Sequence, residues 1–121
     1  MDRTFALVGA LCGLTGVALG AFGAHGLRTR ISPEMLGVFE TGVRYHLYHA
    51  LALLATASLM PRLGGGRLFV AAGWLFTAGI VLFSGSLYLL ALTGITVLGA
   101  ITPLGGVALI AGWACLAYGA I

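Results

Sequence analysis

From Leu68 to Ile121 the chain contains no aspartate, glutamate, lysine, arginine or histidine. A water-soluble domain needs charged side chains on its surface, so this absence excludes a soluble fold for the second half of the chain. Lysine is missing throughout, and six arginines scattered between Arg3 and Arg67 do not form the clustered basic patch that binding to nucleic acid requires. We therefore expect the lipid bilayer to surround this protein.

The usual signs of catalysis are also missing. The two cysteines, Cys12 and Cys115, lie inside apolar runs, where a thiol behaves as a small hydrophobic group, and they form no CxxC motif. The sequence has no phosphate-binding loop, no nucleophile elbow and no pair of carboxylates at acid/base spacing. These absences predict that the protein is not an enzyme.

What is present is apolar sequence: 60% of the 121 residues are hydrophobic, 7% are charged, and the mean hydropathy is +1.10. Apolar stretches of about 17–25 residues are typical of membrane-spanning helices. We predict an all-α fold, a single integral membrane domain over residues 1–121 with four transmembrane helices in an up-down bundle. The approximate spans are 4–24, 41–60, 68–92 and 97–120.

Two spans need comment. The second must begin near Thr41 to be long enough, which places Arg44, His46 and His49 below the membrane surface. In the fourth, Pro103 either kinks the helix or starts it with Thr102 as the cap.

A short amphipathic helix is predicted at residues 33–41, between the first two spans. Ser32, Pro33 and Glu34 have the form of a helix start, with a hydroxyl cap, a proline at the first position and an acid near the positive end of the dipole. The apolar residues that follow recur at helical spacing, which favours a helix lying on the membrane surface, with Gly42 as a bend into the second span.

Four spans place both termini on one side of the membrane. Three arginines belong to that side and at most three to the other. The positive charge of the amino terminus gives the terminal side the larger number of positive charges. The positive-inside rule then predicts cytoplasmic termini.

Small residues recur along two of the spans at heptad spacing, which permits close helix packing in lipid. We predict that the stripe of the first span meets the stripe of the fourth, which would bring Cys12 close to Cys115; the alternative is that one stripe serves a homo-oligomer or a partner subunit. The two stripes comprise Gly9, Gly13, Gly16, Gly20 and Gly23, and Gly105, Ala108, Gly112, Cys115 and Gly119.

Polar residues gather around the start of the second span and are predicted to form one cluster at a rim of the bundle. One hypothesis is structural: Glu40 pairs with Arg44, and the histidines and tyrosines hydrogen-bond one another. The alternative is a ligand site for a metal ion, a quinone, a haem or a lipid headgroup, because neutral imidazoles bind transition metals and ionisable groups inside membranes are often functional. The candidate residues are His25, Glu40, Arg44, Tyr45, His46, Tyr48 and His49.

Four segments, in order along the chain, resemble those of a known family, the small membrane proteins of domain of unknown function 423, which are similar to the eukaryotic transmembrane protein 256. The segments are residues 20–27 (GAFGAHGL), 39–50 (FETGVRYHLYHA), 83–88 (FSGSLY) and 99–106 (GAITPLGG). The resemblance implies a compact integral protein of the bacterial plasma (inner) membrane and assigns no activity, cofactor or catalytic residue.

Residues and resemblance together favour a non-enzymatic structural or accessory subunit without a cofactor. Its expected partners are the lipid bilayer and either further copies of itself or a larger membrane complex.

Overall fold

A computed structural model describes residues 1–121 as an all-helical chain. The α-helices are α1 (Asp2–His25), α2 (Pro33–Arg62), α3 (Arg67–Gly79), α4 (Gly85–Thr93) and α5 (Thr102–Gly119). A π-helical turn, Ile80–Ser84, joins α3 to α4, and a 3-10 helix, Thr96–Ala100, precedes α5.

Three helical stretches are long and apolar enough to cross a membrane: Asp2–His25, Arg67–Thr93 and Thr96–Gly119. They correspond to the first, third and fourth predicted spans. The second predicted span lies in α2, which is long enough but carries charged and imidazole side chains and is not among the three.

The prediction of a separate interfacial helix at residues 33–41 is wrong, because α2 runs without interruption from Pro33 to Arg62. Its 30 residues extend about 45 Å. The predicted helix start is present, since the Ser32 hydroxyl accepts a hydrogen bond from the Met35 backbone N–H at 3.2 Å and Pro33 occupies the first turn. Gly42 lies inside this continuous helix and gives room to the ring of Tyr88 on α4.

The helices pack as two neighbouring pairs, α1 with α2 and α5 with the stretch formed by α3 and the π-turn. The predicted pairing of the first span with the fourth is therefore wrong. Helices that follow one another along the chain through short connections are readily antiparallel neighbours, and here each glycine stripe meets such a neighbour.

Bulky side chains spaced seven residues apart face the glycines of both stripes. On α2, Phe39 lies against Gly23, His46 and Leu47 against Gly16, and Leu53 against Gly9. On the α3 side, the rings of Phe69 and Phe76 face Gly119 and Gly112, and seven residues further on it is the backbone of Phe83 that lies against Gly105. A residue without a side chain lets the partner helix approach closely, which is the main source of helix association in lipid.

Two of the contacts that join the helix pairs are a buried ring and a hydrogen bond from the π-turn. The Phe5 ring of α1 is fully buried and packs against Gly73 of α3, where a side chain would overlap the ring unless the ring moved. The Ser84 hydroxyl, in the π-turn, donates to the Gly42 carbonyl oxygen of α2 at 2.6 Å.

Pro103 lies in the first turn of α5 and starts that helix, which resolves the alternative that the sequence left open. The hydroxyl of Thr102 does not cap the helix; it shares a hydrogen bond with Ser86 at 2.6 Å.

The adjacent glycines of α5 give a matched test of the close helix contact. A methyl group at Gly105 would overlap the Phe83 backbone, with the Cα at 2.7 Å, whereas one at Gly106 would lie 3.8 Å from the Phe83 ring in ordinary contact. We expect Gly105→Ala to lower the free energy of unfolding by about 1–3 kcal/mol or more, since backbone cannot yield as a side chain does. Gly106→Ala should be neutral or stabilising by roughly 0.5–1 kcal/mol. Unfolding in detergent followed by circular dichroism measures both, and equal stability of the two variants would contradict the packing described.

Candidate functional site

The two histidines of α2 lie inside the bundle. His46 is 6% exposed and His49 is 5% exposed, although the second span was predicted to carry them near a rim. His46 packs beside Gly16, which lies near the middle of α1. Both imidazoles are therefore well away from the helix ends.

His46 connects α2 to two other helices. Its Nδ1 lies 2.8 Å from the Tyr88 hydroxyl on α4, and its Nε2 lies 3.2 Å from the Thr15 hydroxyl on α1. The Thr15 hydroxyl donates to the backbone carbonyls of Leu11 and Cys12, at 3.0 and 3.2 Å, so its oxygen is left to accept from His46 Nε2–H. His46 Nδ1 then accepts from the Tyr88 O–H.

His49 connects α2 to α5 and holds its proton on the other nitrogen. The Trp113 indole N–H donates to His49 Nε2 at 3.0 Å, and His49 Nδ1 lies 2.7 Å from the Tyr45 carbonyl oxygen. An indole N–H only donates and a carbonyl only accepts, so these two bonds require a neutral imidazole protonated at Nδ1. Neither nitrogen of His49 has a lone pair left for a metal ion.

His25 does not join the other two histidines. It lies exposed at the last position of α1, nine residues beyond Gly16, which is about 13 Å along the helix. The structure contains no group of three histidine, cysteine or acidic side chains able to hold a metal ion. The predicted cluster is therefore divided between a surface histidine and two interior ones.

The remaining predicted residues lie on the outer side of α2. Arg44 donates to the Thr41 hydroxyl at 3.1 Å and makes no ion pair with Glu40, so that predicted pair is absent. The Tyr45 ring stacks on His49 at a centroid distance of 6.1 Å, and its edge meets the exposed Tyr48.

The sequence analysis gave no hydrogen-bonding role to Thr15, Tyr88 or Trp113. The structure makes all three partners of the interior histidines. The sequence could have indicated these partners. Two imidazoles within a predicted span need hydrogen-bond donors and acceptors from other helices, and the Tyr hydroxyl and the Trp indole N–H are suitable groups.

Removal of one hydroxyl tests the His46 network. Tyr88→Phe keeps the ring, which packs on Phe39 at 4.9 Å, but leaves His46 Nδ1 without its donor. We expect the free energy of unfolding to fall by about 1–2 kcal/mol. The matched control is Tyr48→Phe, at an exposed tyrosine that makes no hydrogen bond, and it should change stability by less than about 0.5 kcal/mol. A Tyr88→Phe variant as stable as the control would show that the bond contributes nothing.

Comparison with the sequences of known proteins assigns the chain to a family. The sequence profile of the family described as "Protein of unknown function (DUF423)" matches residues 19–106. The UPF0382 membrane protein YwdK of Bacillus subtilis (strain 168) is 53% identical over 119 residues, which cover 98% of this chain and 97% of that protein. No solved structure matches this chain.

Two staphylococcal proteins extend the comparison, each covering 94% of this chain and 92% of its own length. The UPF0382 membrane protein SH2409 of Staphylococcus haemolyticus (strain JCSC1435) is 48% identical over 115 residues, and SAB0533 of Staphylococcus aureus (strain bovine RF122 / ET3-1) is 50% identical over 115 residues. These relatives are named membrane proteins, in agreement with the three apolar helical stretches. The chain is a membrane protein and belongs to the DUF423 family.

Proposed function

We propose that the protein is a non-enzymatic structural or accessory subunit of the bacterial inner membrane, built as a four-span bundle that packs against copies of itself or against a larger membrane complex. One observation carries the proposal: the polar side chains inside the bundle are hydrogen-bonded within the protein. Both nitrogens of His46 and of His49 are hydrogen-bonded, and no buried side-chain nitrogen or oxygen lacks a partner. A ligating or catalytic imidazole needs a free nitrogen, whereas an imidazole that joins helices does not.

The contacts between α1 and α2 support a fourth span. Gly23 lies beside Phe39 and Gly9 beside Leu53, so the two helices are antiparallel and run side by side over most of α1. If α1 crosses the bilayer, α2 shares its depth. The lower hydropathy of α2 fits this position in so far as its two imidazoles, His46 and His49, are buried among other helices.

The outer surface supports a role in assembly. Most of the large exposed side chains of α1 and α5 are aliphatic, including Leu14 at 67% and Ile110 at 71% exposure, as contact with lipid or another helix requires. Gly13 is the member of the α1 stripe that touches no other helix, and it lines a groove of about 400 Å³ between α1 and α2. A small residue beside an apolar groove admits a further helix at close range.

Cysteine labelling tests the span count and the orientation. In a background with Cys12 and Cys115 replaced by alanine, Thr29→Cys and Gly66→Cys each place one thiol in an exposed connection. We expect a membrane-impermeant maleimide added to intact cells to label Thr29→Cys and to leave Gly66→Cys unlabelled until the membrane is opened, because a crossing α2 separates the two connections. Labelling of both residues from the same side would exclude a fourth span, and the reverse pattern would place the termini outside.

Substitution of the interior histidines tests the structural role against a ligand site. We expect His46→Gln and His49→Gln to lower the free energy of unfolding by about 1–3 kcal/mol each, since a partner polar group is left unsatisfied. His25→Gln, at the exposed histidine, is the matched control and should leave stability unchanged.

Elemental analysis and absorption spectra of the same four proteins complete this test. The unsubstituted protein should carry no stoichiometric metal and no haem band. A bound metal or haem that His46→Gln or His49→Gln releases would overturn the structural role.

A further inference from the structure

A cavity of about 340 Å³ opens on the outer side of the bundle, between α2, the π-turn and α5. Tyr45, His49, Phe83 and Trp113 line it together with Gly106 and two aliphatic side chains of α5. Ligand sites of 300 Å³ and above that combine aromatic walls with few polar groups are typical of small-molecule binding.

The cavity lies deep within the proposed membrane-spanning region. Since Gly16 packs beside His46 and Gly9 beside Leu53, His49 is level with about Gly13 of α1, roughly 16 Å from the start of that helix. The hydrocarbon core of a bilayer is about 30 Å thick, so this level is near its middle. A ligand would enter the cavity sideways from the lipid and must itself be soluble in lipid.

The charges and hydrogen bonds at the cavity restrict the chemistry of the ligand. No arginine, lysine or carboxylate lines it, which disfavours phosphate headgroups and metal ions. Both nitrogens of His49 are already bonded, whereas the Tyr45 hydroxyl makes no hydrogen bond within the chain. Tyr45 is therefore the lining residue that carries an O–H free to donate.

A planar, neutral, lipid-soluble ring with carbonyl acceptors fits these conditions. The Tyr45 ring packs on Phe83 at a centroid distance of 4.6 Å, and Trp113 lies on the α5 side of the same cavity. We infer that this cavity binds the ring of a quinone-class lipid, with the Tyr45 hydroxyl donating to a ring carbonyl. The inference concerns binding alone and rests on the proposed four-span arrangement, which cysteine labelling tests separately.

Trp113 provides the reporter for the experiment. Trp74→Phe removes the other tryptophan, whose ring packs on Phe5 and does not line the cavity. The full chain with this substitution is placed in phosphatidylcholine vesicles, and a decyl-substituted benzoquinone is titrated while Trp113 fluorescence is measured. We expect saturable quenching.

Two further variants in the Trp74→Phe background locate the site. Tyr45→Phe removes one hydroxyl and should weaken the apparent affinity by about two- to tenfold, the range that corresponds to one hydrogen bond. Tyr48→Phe, on the same helix but outside the cavity, should leave the affinity unchanged. Gly106→Leu should abolish saturation by filling the space, and circular dichroism confirms that each variant is folded.

Three results would overturn the inference. Quenching that rises linearly with quinone and is equal in all variants would mean collision in the lipid and no site. Saturable quenching that neither Tyr45→Phe nor Gly106→Leu changes would mean that the quinone binds elsewhere. Strong quenching of Trp113 by phosphatidylcholine with brominated acyl chains, not relieved by the quinone, would mean that a lipid tail occupies the cavity.

Discussion

A polar side chain surrounded by hydrocarbon must find its hydrogen-bond partners within the protein, because the bilayer core offers no water. The proposed fourth span would place this requirement on α2, which carries both interior histidines. His46 takes partners from α1 and α4, and His49 takes one from α5. The least apolar helix is therefore the one that hydrogen-bonds to α1, α4 and α5, while the large side chains that α1 and α5 expose are mostly aliphatic.

Hydrogen bonds of about 3 Å between helices require closely spaced backbones, and the glycine stripes supply that spacing. The same arrangement occurs twice, with a bulky residue every seven positions facing a glycine every seven positions on the next helix. It pairs residues 39, 46 and 53 with 23, 16 and 9, and residues 69, 76 and 83 with 119, 112 and 105. His46 belongs to the first series, so one residue serves both the packing and the polar network. The π-turn adds a third element, since its Ser84 hydroxyl donates to the Gly42 carbonyl of α2 while its backbone lies against Gly105 of α5.

The parts of the fold that depend on local sequence could be predicted. The helix start at Ser32 and Pro33 could be predicted because a hydroxyl cap and a fixed φ act within a single turn and do not depend on distant residues. The first, third and fourth spans follow from length and apolarity alone. The interfacial helix was mispredicted because surface amphipathicity and the polar end of a long buried helix give the same periodicity; only the continuous packing of α2 on α1 distinguishes them.

The sequence by itself determined that the chain is helical and that it is a membrane protein. It also determined that the histidines and tyrosines near residue 46 are the polar exception in an apolar chain. These follow from composition and spacing, which do not depend on distant contacts. The tertiary structure decided which glycine stripe meets which helix, that His25 is separated from His46 and His49, and that Thr15, Tyr88 and Trp113 are the partners of the interior histidines. A heptad repeat of small residues requires bulky residues on the facing helix but does not specify which helix that is. The helix pairing, and the hydrogen bonds that depend on this pairing, are therefore fixed only when the helices pack together.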